Sequence, residues 1–163
     1  MFELPLFDEV AEAVRALVPR DLGDLHCRSR RYGVKVWFGG GASRPGREHY
    51  EAQVIGAREV ADARVLAIEV GFHAEHPDAA LNDAVIARLV ADERTWRKDV
   101  GKEAVVGPFL GRADTWRRIS ETWPDPDLSD PDLPFEVGAR LTDYITALEP
   151  RRSPKTPPPP PTA

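Results

Sequence analysis

The hydrophobic pattern changes period along the chain. Between residues 64 and 73, Leu66, Ile68, Val70 and Phe72 alternate with Ala67, Glu69, Gly71 and His73. A period of two over this length predicts a half-buried strand. The same parity recurs twice upstream. Tyr32, Val34, Val36 and Phe38 alternate with Arg31, Gly33, Lys35 and Trp37, and Tyr50, Ala52 and Val54 alternate with His49, Glu51 and Gln53. Residues 25–30 either extend the first of these strands or form one of their own. Elsewhere the spacing is helical. Phe7, Val10, Val14, Leu17 and Val18 make one stripe over residues 7–18, with Asp8 and Glu9 in the first turn and Pro19 as a stop.

Pro77 and Asp78 open a second helix that runs to about Val100, with Leu81, Val85, Leu89, Trp96 and Val100 as its buried stripe and Gly101 as its end. Residues 103–110 suit a fourth, edge strand. Trp116, Ile119 and Trp123 predict a short helix over 115–123, capped by Asp114. A loop of Asp-Pro turns then leads to a final helix over 135–148, ended by Pro150. The glycine-rich segment 39–46, flanked by Arg44 and Arg47, has the composition of a phosphate-cradling loop. It leads into a strand rather than a helix N-terminus, so a hairpin connection is the better reading. Short connections between sequential strands predict an antiparallel meander. The expectation is an α+β fold: a three- or four-stranded, mainly antiparallel sheet with helices packed on one face, as one domain over residues 1–150. The proline run after Thr156 makes residues 151–163 a disordered, Pro-rich tail.

Composition narrows the function classes. The 163 residues include one cysteine, Cys27, which excludes an internal disulfide and a cysteine-rich zinc module. The net charge is −5, and residues 1–150 alone carry −8, because the tail adds Arg151, Arg152 and Lys155 and no acid. That balance argues against nucleic acid as the partner. No basic leader and no long apolar run is visible, so a cytoplasmic protein with no membrane partner is expected. Walker, dinucleotide, nucleophile-elbow and EF-hand patterns are absent.

The chemistry lies on the odd-numbered positions. If the even positions pack on the helices, Lys35, Trp37, His49, Glu51, Gln53, Glu69 and His73 share the opposite face, with His76 just beyond its end. Carboxylates, imidazoles and an amine on neighbouring strands suit divalent-metal binding or acid–base work. They equally suit a solvated sheet face on which Lys35 pairs with Glu51 or Glu69. On that reading Glu69 and His73 are more exposed than Ile68 and Val70. The leading expectation is a non-catalytic binding or accessory domain that covers this face with a protein partner and needs no cofactor. The alternative is a divalent-metal-dependent hydrolase or nuclease-like enzyme using Glu51, Glu69 and nearby histidines. A helix, three strands and a helix resemble the core order of the PD-(D/E)xK nucleases, with Glu51 and Glu69 standing for the acids. Gly71 stands where that family has its lysine, so Lys35 would have to substitute from another strand.

Overall fold

A strand with a period of two buries both faces only when each face finds a cover, and here both do. The computed structural model describes residues 5–152 and residue 162. The expected Pro-rich tail from residue 153 onward lies outside the described residues, apart from Thr162. The chain order is α1 (Pro5–Leu17), β1 (Leu25–Arg30), β2 (Gly33–Phe38), β3 (Glu48–Gly56), β4 (Leu66–Ala74), α2 (Ala79–Val90), α3 (Glu93–Val100), β5 (Val105–Pro108), β6 (Arg117–Pro124) and α4 (Leu133–Arg152). The fold is α+β. Its antiparallel sheet has six strands in the order β1-β2-β3-β4-β6-β5, not three or four.

Two of the additional strands come from segments that carried another assignment or an open one. Residues 25–38 divide into β1 and β2, which pair from Leu25 opposite Phe38 to Arg30 opposite Gly33. The expected helix over 115–123 is instead β6, paired along the whole of β4. Ile119 and Trp123 fit a helical stripe, but they also share one side of a strand. The free edge of β4 offers backbone groups that must be paired once buried, and that tertiary demand overrides local spacing. The expected long helix after Pro77 breaks between α2 and α3. There the Trp96 indole N–H donates to the Leu89 carbonyl at 2.8 Å, and the ring turns fully into the core. Leu81, expected in the buried stripe, is 52 % exposed, and the neighbouring Asn82 is buried in its place.

Even-numbered residues of β2–β4 face the helices. Val34, Val36, Tyr50, Ala52, Ile68, Val70 and Phe72 form one core with Val10 and Val14 of α1, Leu89 of α2 and Leu141, Ile145 and Leu148 of α4. Helices α1 and α4 meet at Gly138, where an added Cβ would lie 2.6 Å from Ala13 Cβ. Helix α4 does not stop at Pro150 but continues to Arg152. Its last turn is tied to the sheet. The Tyr50 hydroxyl donates to Glu149 at 2.9 Å, and the Arg152 guanidinium bridges Glu149 at 2.8 Å and Glu48 of β3 at 3.1 Å. Among the described residues, no helix is long and apolar enough to cross a membrane.

The centre of the sheet depends on Gly71, which sits between Glu51 of β3 and Ser120 of β6. A Cβ there would lie 2.3 Å from the Ile119 carbonyl oxygen and 2.5 Å from Ser120 Cα, so β6 can lie this close only against glycine. Gly71→Ala is expected to cost at least the ~1–3 kcal/mol typical of overpacking, read as a lower urea midpoint. A chain ending at Pro150 is expected to be about 1–3 kcal/mol less stable than one ending at Arg152, because it loses the charged hydrogen bonds to Glu48 and Glu149. Equal midpoints for the two chains would show that the last turn contributes nothing.

Candidate metal centre

The opposite, odd-numbered side of the sheet is buried at its centre. Glu69 and His73 are 0 % exposed, the same as Ile68 and Val70, and His49 and Glu51 are also buried. The expected difference in exposure therefore does not exist. The cover comes from the chain itself. The β2–β3 loop folds over one end, where Trp37 Nε1 donates to the Gly41 carbonyl at 3.0 Å. The β5–β6 connection folds over the other, where Phe109 packs edge-on against His73 and Trp116 packs against Phe109.

The register brings the imidazoles together. His49 and His73 are directly opposed on β3 and β4, with ring centroids 5.7 Å apart. Glu51 follows His49 on the same side of β3. Glu75 continues the parity of β4 by one step, and its backbone N–H donates to the Arg47 carbonyl at 2.7 Å. His49, Glu51, His73 and Glu75 each offer one ligand atom, and these atoms all lie within 4.8 Å of one another. His73 Nδ1 is 3.1 Å from Glu75 and 3.3 Å from Glu51, and His49 Nε2 is 3.4 Å from Glu75. Ligand atoms on a common ion with bonds of about 2.0–2.2 Å are separated by roughly this much.

Outer contacts fix both rings. His49 Nδ1 donates to the Gly46 carbonyl at 2.9 Å, since a carbonyl only accepts. The other ring nitrogen, Nε2, then faces the carboxylates, 3.4 Å from Glu75 and 3.9 Å from Glu51. It is buried and has no hydrogen-bond partner. A buried polar atom left unpaired is costly, and a cation at this point would satisfy it. His73 Nε2 bonds to Glu69 at 3.0 Å. Glu69 is held in turn by Ser120 Oγ at 2.7 Å and Gln53 Nε2 at 2.9 Å. A carboxylate behind a ligating imidazole, itself anchored by hydrogen bonds, is the arrangement that orients histidines at metal centres.

The charges are strongly coupled. Burial alone would lower the His73 pKa, but the Glu69 carboxylate, reinforced by Glu51 and Glu75, lifts it well above the usual imidazole value. Burial opposes ionisation of Glu69 as well, yet His73, Ser120 and Gln53 hold its pKa at about 2. Glu75 is likewise held far below the carboxylate range by the two imidazoles, against the cost of its burial. Lys35 Nζ stands 3.6 Å from both Glu51 and Glu75 on the pocket side.

Of the seven residues expected on this side, His49, Glu51 and His73 converge in the cluster. Glu69, Gln53 and Lys35 surround it, and Trp37 holds the loop instead. His76 is not part of the group. It bonds to Glu48 at 2.8 Å, so the His73–His76 spacing does not make a ligand pair. Glu75 is the residue that sequence reasoning missed. Its odd parity, two places after His73, was the available sign, but the strand expected there ended at His73.

Glu69→Ala is expected to cost about 3–5 kcal/mol in chemical denaturation, because it breaks a buried ion pair and leaves His73 Nε2 buried without its partner. A loss below about 1 kcal/mol would show that the Glu69–His73 pair is not the anchor described. No protein-family model, curated protein or solved structure matches the chain.

Proposed function

We propose that the protein is a divalent-metal-dependent hydrolase whose ion is held by His49, Glu51, His73 and Glu75. The observation that carries this reading is the buried Nε2 of His49, which makes no hydrogen bond and is directed into a group of two carboxylates and a second imidazole. Two imidazoles with two carboxylates form a mixed nitrogen–oxygen set that suits Zn²⁺, Mn²⁺ or Fe²⁺ better than calcium. The ion would take the place of the proton on His73 Nδ1 and leave Nε2–H on Glu69. In this reading Glu69 is not a ligand but sets the orientation and basicity of His73, and Ser120 and Gln53 support it.

The hydrolytic class is supported by access. Glu51 and Glu75, and neither imidazole, line an open pocket of about 380 Å³. A ligand entering there meets the carboxylate side of the centre. A divalent ion in such a position supplies a Lewis acid and an activated water. The chain's own loops cover the histidines at the centre of the odd-numbered face and leave the pocket open beside them.

Chelator-treated protein is expected to show a saturable rise in melting temperature with Zn²⁺ or Mn²⁺, equivalent to about 2.7 kcal/mol at a hundredfold excess over the dissociation constant. His49→Gln and Glu75→Gln should abolish it. Glu69→Gln should weaken metal affinity about 10–100-fold without abolishing binding. If no metal shifts the midpoint, or if His49→Gln shifts as the parent does, the metal reading is wrong.

A further inference from the structure

The acidic centre is rimmed by arginines, although the chain as a whole carries −5. The 380 Å³ pocket lies between the β1–β2 hairpin and the β5–β6 connection. Arg28 and Arg30 stand on one side, Phe109 and Trp116 on the other, and Glu51 and Glu75 at its base. A second depression of about 230 Å³ adds Arg44 and Arg47 from the β2–β3 loop. The two share Arg30, Lys35 and Glu75, so they adjoin and together make a groove beside the carboxylates.

These arginines are not there to neutralise the glutamates. Lys35 does that, within ion-pairing distance of both. Among the described residues, the exposed Arg30, Arg44 and Arg47 have no acidic partner. Unpaired like charges around one concavity repel one another, and that repulsion is relieved by an anion. The guanidinium fork matches phosphate oxygens in geometry as well as in charge. The facing wall has a different character. Phe109 and Trp116 pack at a ring separation of 5.0 Å, and Trp116 is only half-buried. Such a surface receives a planar organic group. The volume suits a small molecule.

We infer that this groove binds a small phosphate monoester carrying a planar organic group. Its phosphoryl oxygens lie toward Arg30, Arg44 and Arg47, and its ring lies against Phe109 and Trp116. The inference rests on the metal reading above, because Glu51 and Glu75 would repel a phosphate dianion without an ion between them. It names the substrate class of that centre. In the reaction, water oxygen bonds to phosphorus and the ester P–O bond breaks. The leaving oxygen takes the proton released by the attacking water. One water is consumed, inorganic phosphate and a hydroxyl compound are released, and no oxidant or reductant is needed.

The test titrates phenyl phosphate into Mn²⁺- or Zn²⁺-loaded full-length protein, followed by calorimetry and by tryptophan fluorescence. Metal binding is measured in parallel by thermal shift. Saturable binding is expected, weakened at least tenfold in Arg30→Gln/Arg44→Gln while the metal shift is unchanged. Trp116→Leu should weaken phenyl phosphate but leave inorganic phosphate unaffected, and the loaded protein should release phosphate from phenyl phosphate. An intact metal shift without phenyl phosphate binding overturns the substrate class alone. So does binding that the arginine substitutions do not alter, or stronger competition from a single-stranded oligonucleotide. Loss of the metal shift itself overturns both readings.

Discussion

The Glu69–His73 pair is the constraint around which the rest of the structure is arranged. Both groups are completely removed from water, and a buried charge survives only if it is paired and its remaining valences are satisfied. The requirement reaches outward in both directions. Ser120 has to come from β6, Gln53 from β3, and the far nitrogen of His73 has to meet Glu51 and Glu75. Sheet order, register and the absence of a side chain at Gly71 all serve this one demand.

The helix side of the sheet solves a related problem with different means. Glu121 on β6 faces α4 and accepts from the Tyr144 hydroxyl at 2.8 Å and from Arg140. Glu149 on α4 faces β3 and accepts from Tyr50 and Arg152. Each buried carboxylate there has a tyrosine hydroxyl and an arginine, which complete its hydrogen bonding and leave no group seeking a cation. The odd-numbered side differs in using imidazole, which can give up its proton, and in leaving His49 Nε2 unpaired. The contrast separates carboxylates whose hydrogen bonding is complete from the cluster proposed to hold an ion.

The strict alternation in β2, β3 and β4 was legible because every second residue is apolar, and it placed His49, Glu51, Glu69 and His73 on one face correctly. What parity could not show is whether that face meets water. The covering residues lie in the loops after β2 and β5, whose composition resembles any connection. Glu75 fell outside the site because strand ends are poorly marked and Ala74 continues the pattern without emphasis. The segment of β6 misled because Ile119 and Trp123 satisfy two periods at once while Trp116, just before the strand, completes the helical stripe, and only the open edge of β4 decides between them. The break before α3 was hidden because Leu89 and Trp96 lie on the same helical face, and the indole hydrogen bond that opens the turn is a tertiary contact.

The β2–β3 loop has two duties that cannot be separated. Its Gly46 carbonyl sets the tautomer and angle of His49, and its Arg44 and Arg47 side chains line the groove beside the carboxylates. Any occupant that draws those arginines inward also acts on the backbone that aims the imidazole. Binding events that act on one shared element can be thermodynamically linked, and linkage is reciprocal. On the proposed reading, an ion on His49 and an anion on Arg44 and Arg47 would each change the other's affinity by the same factor, with the loop as the coupling between them.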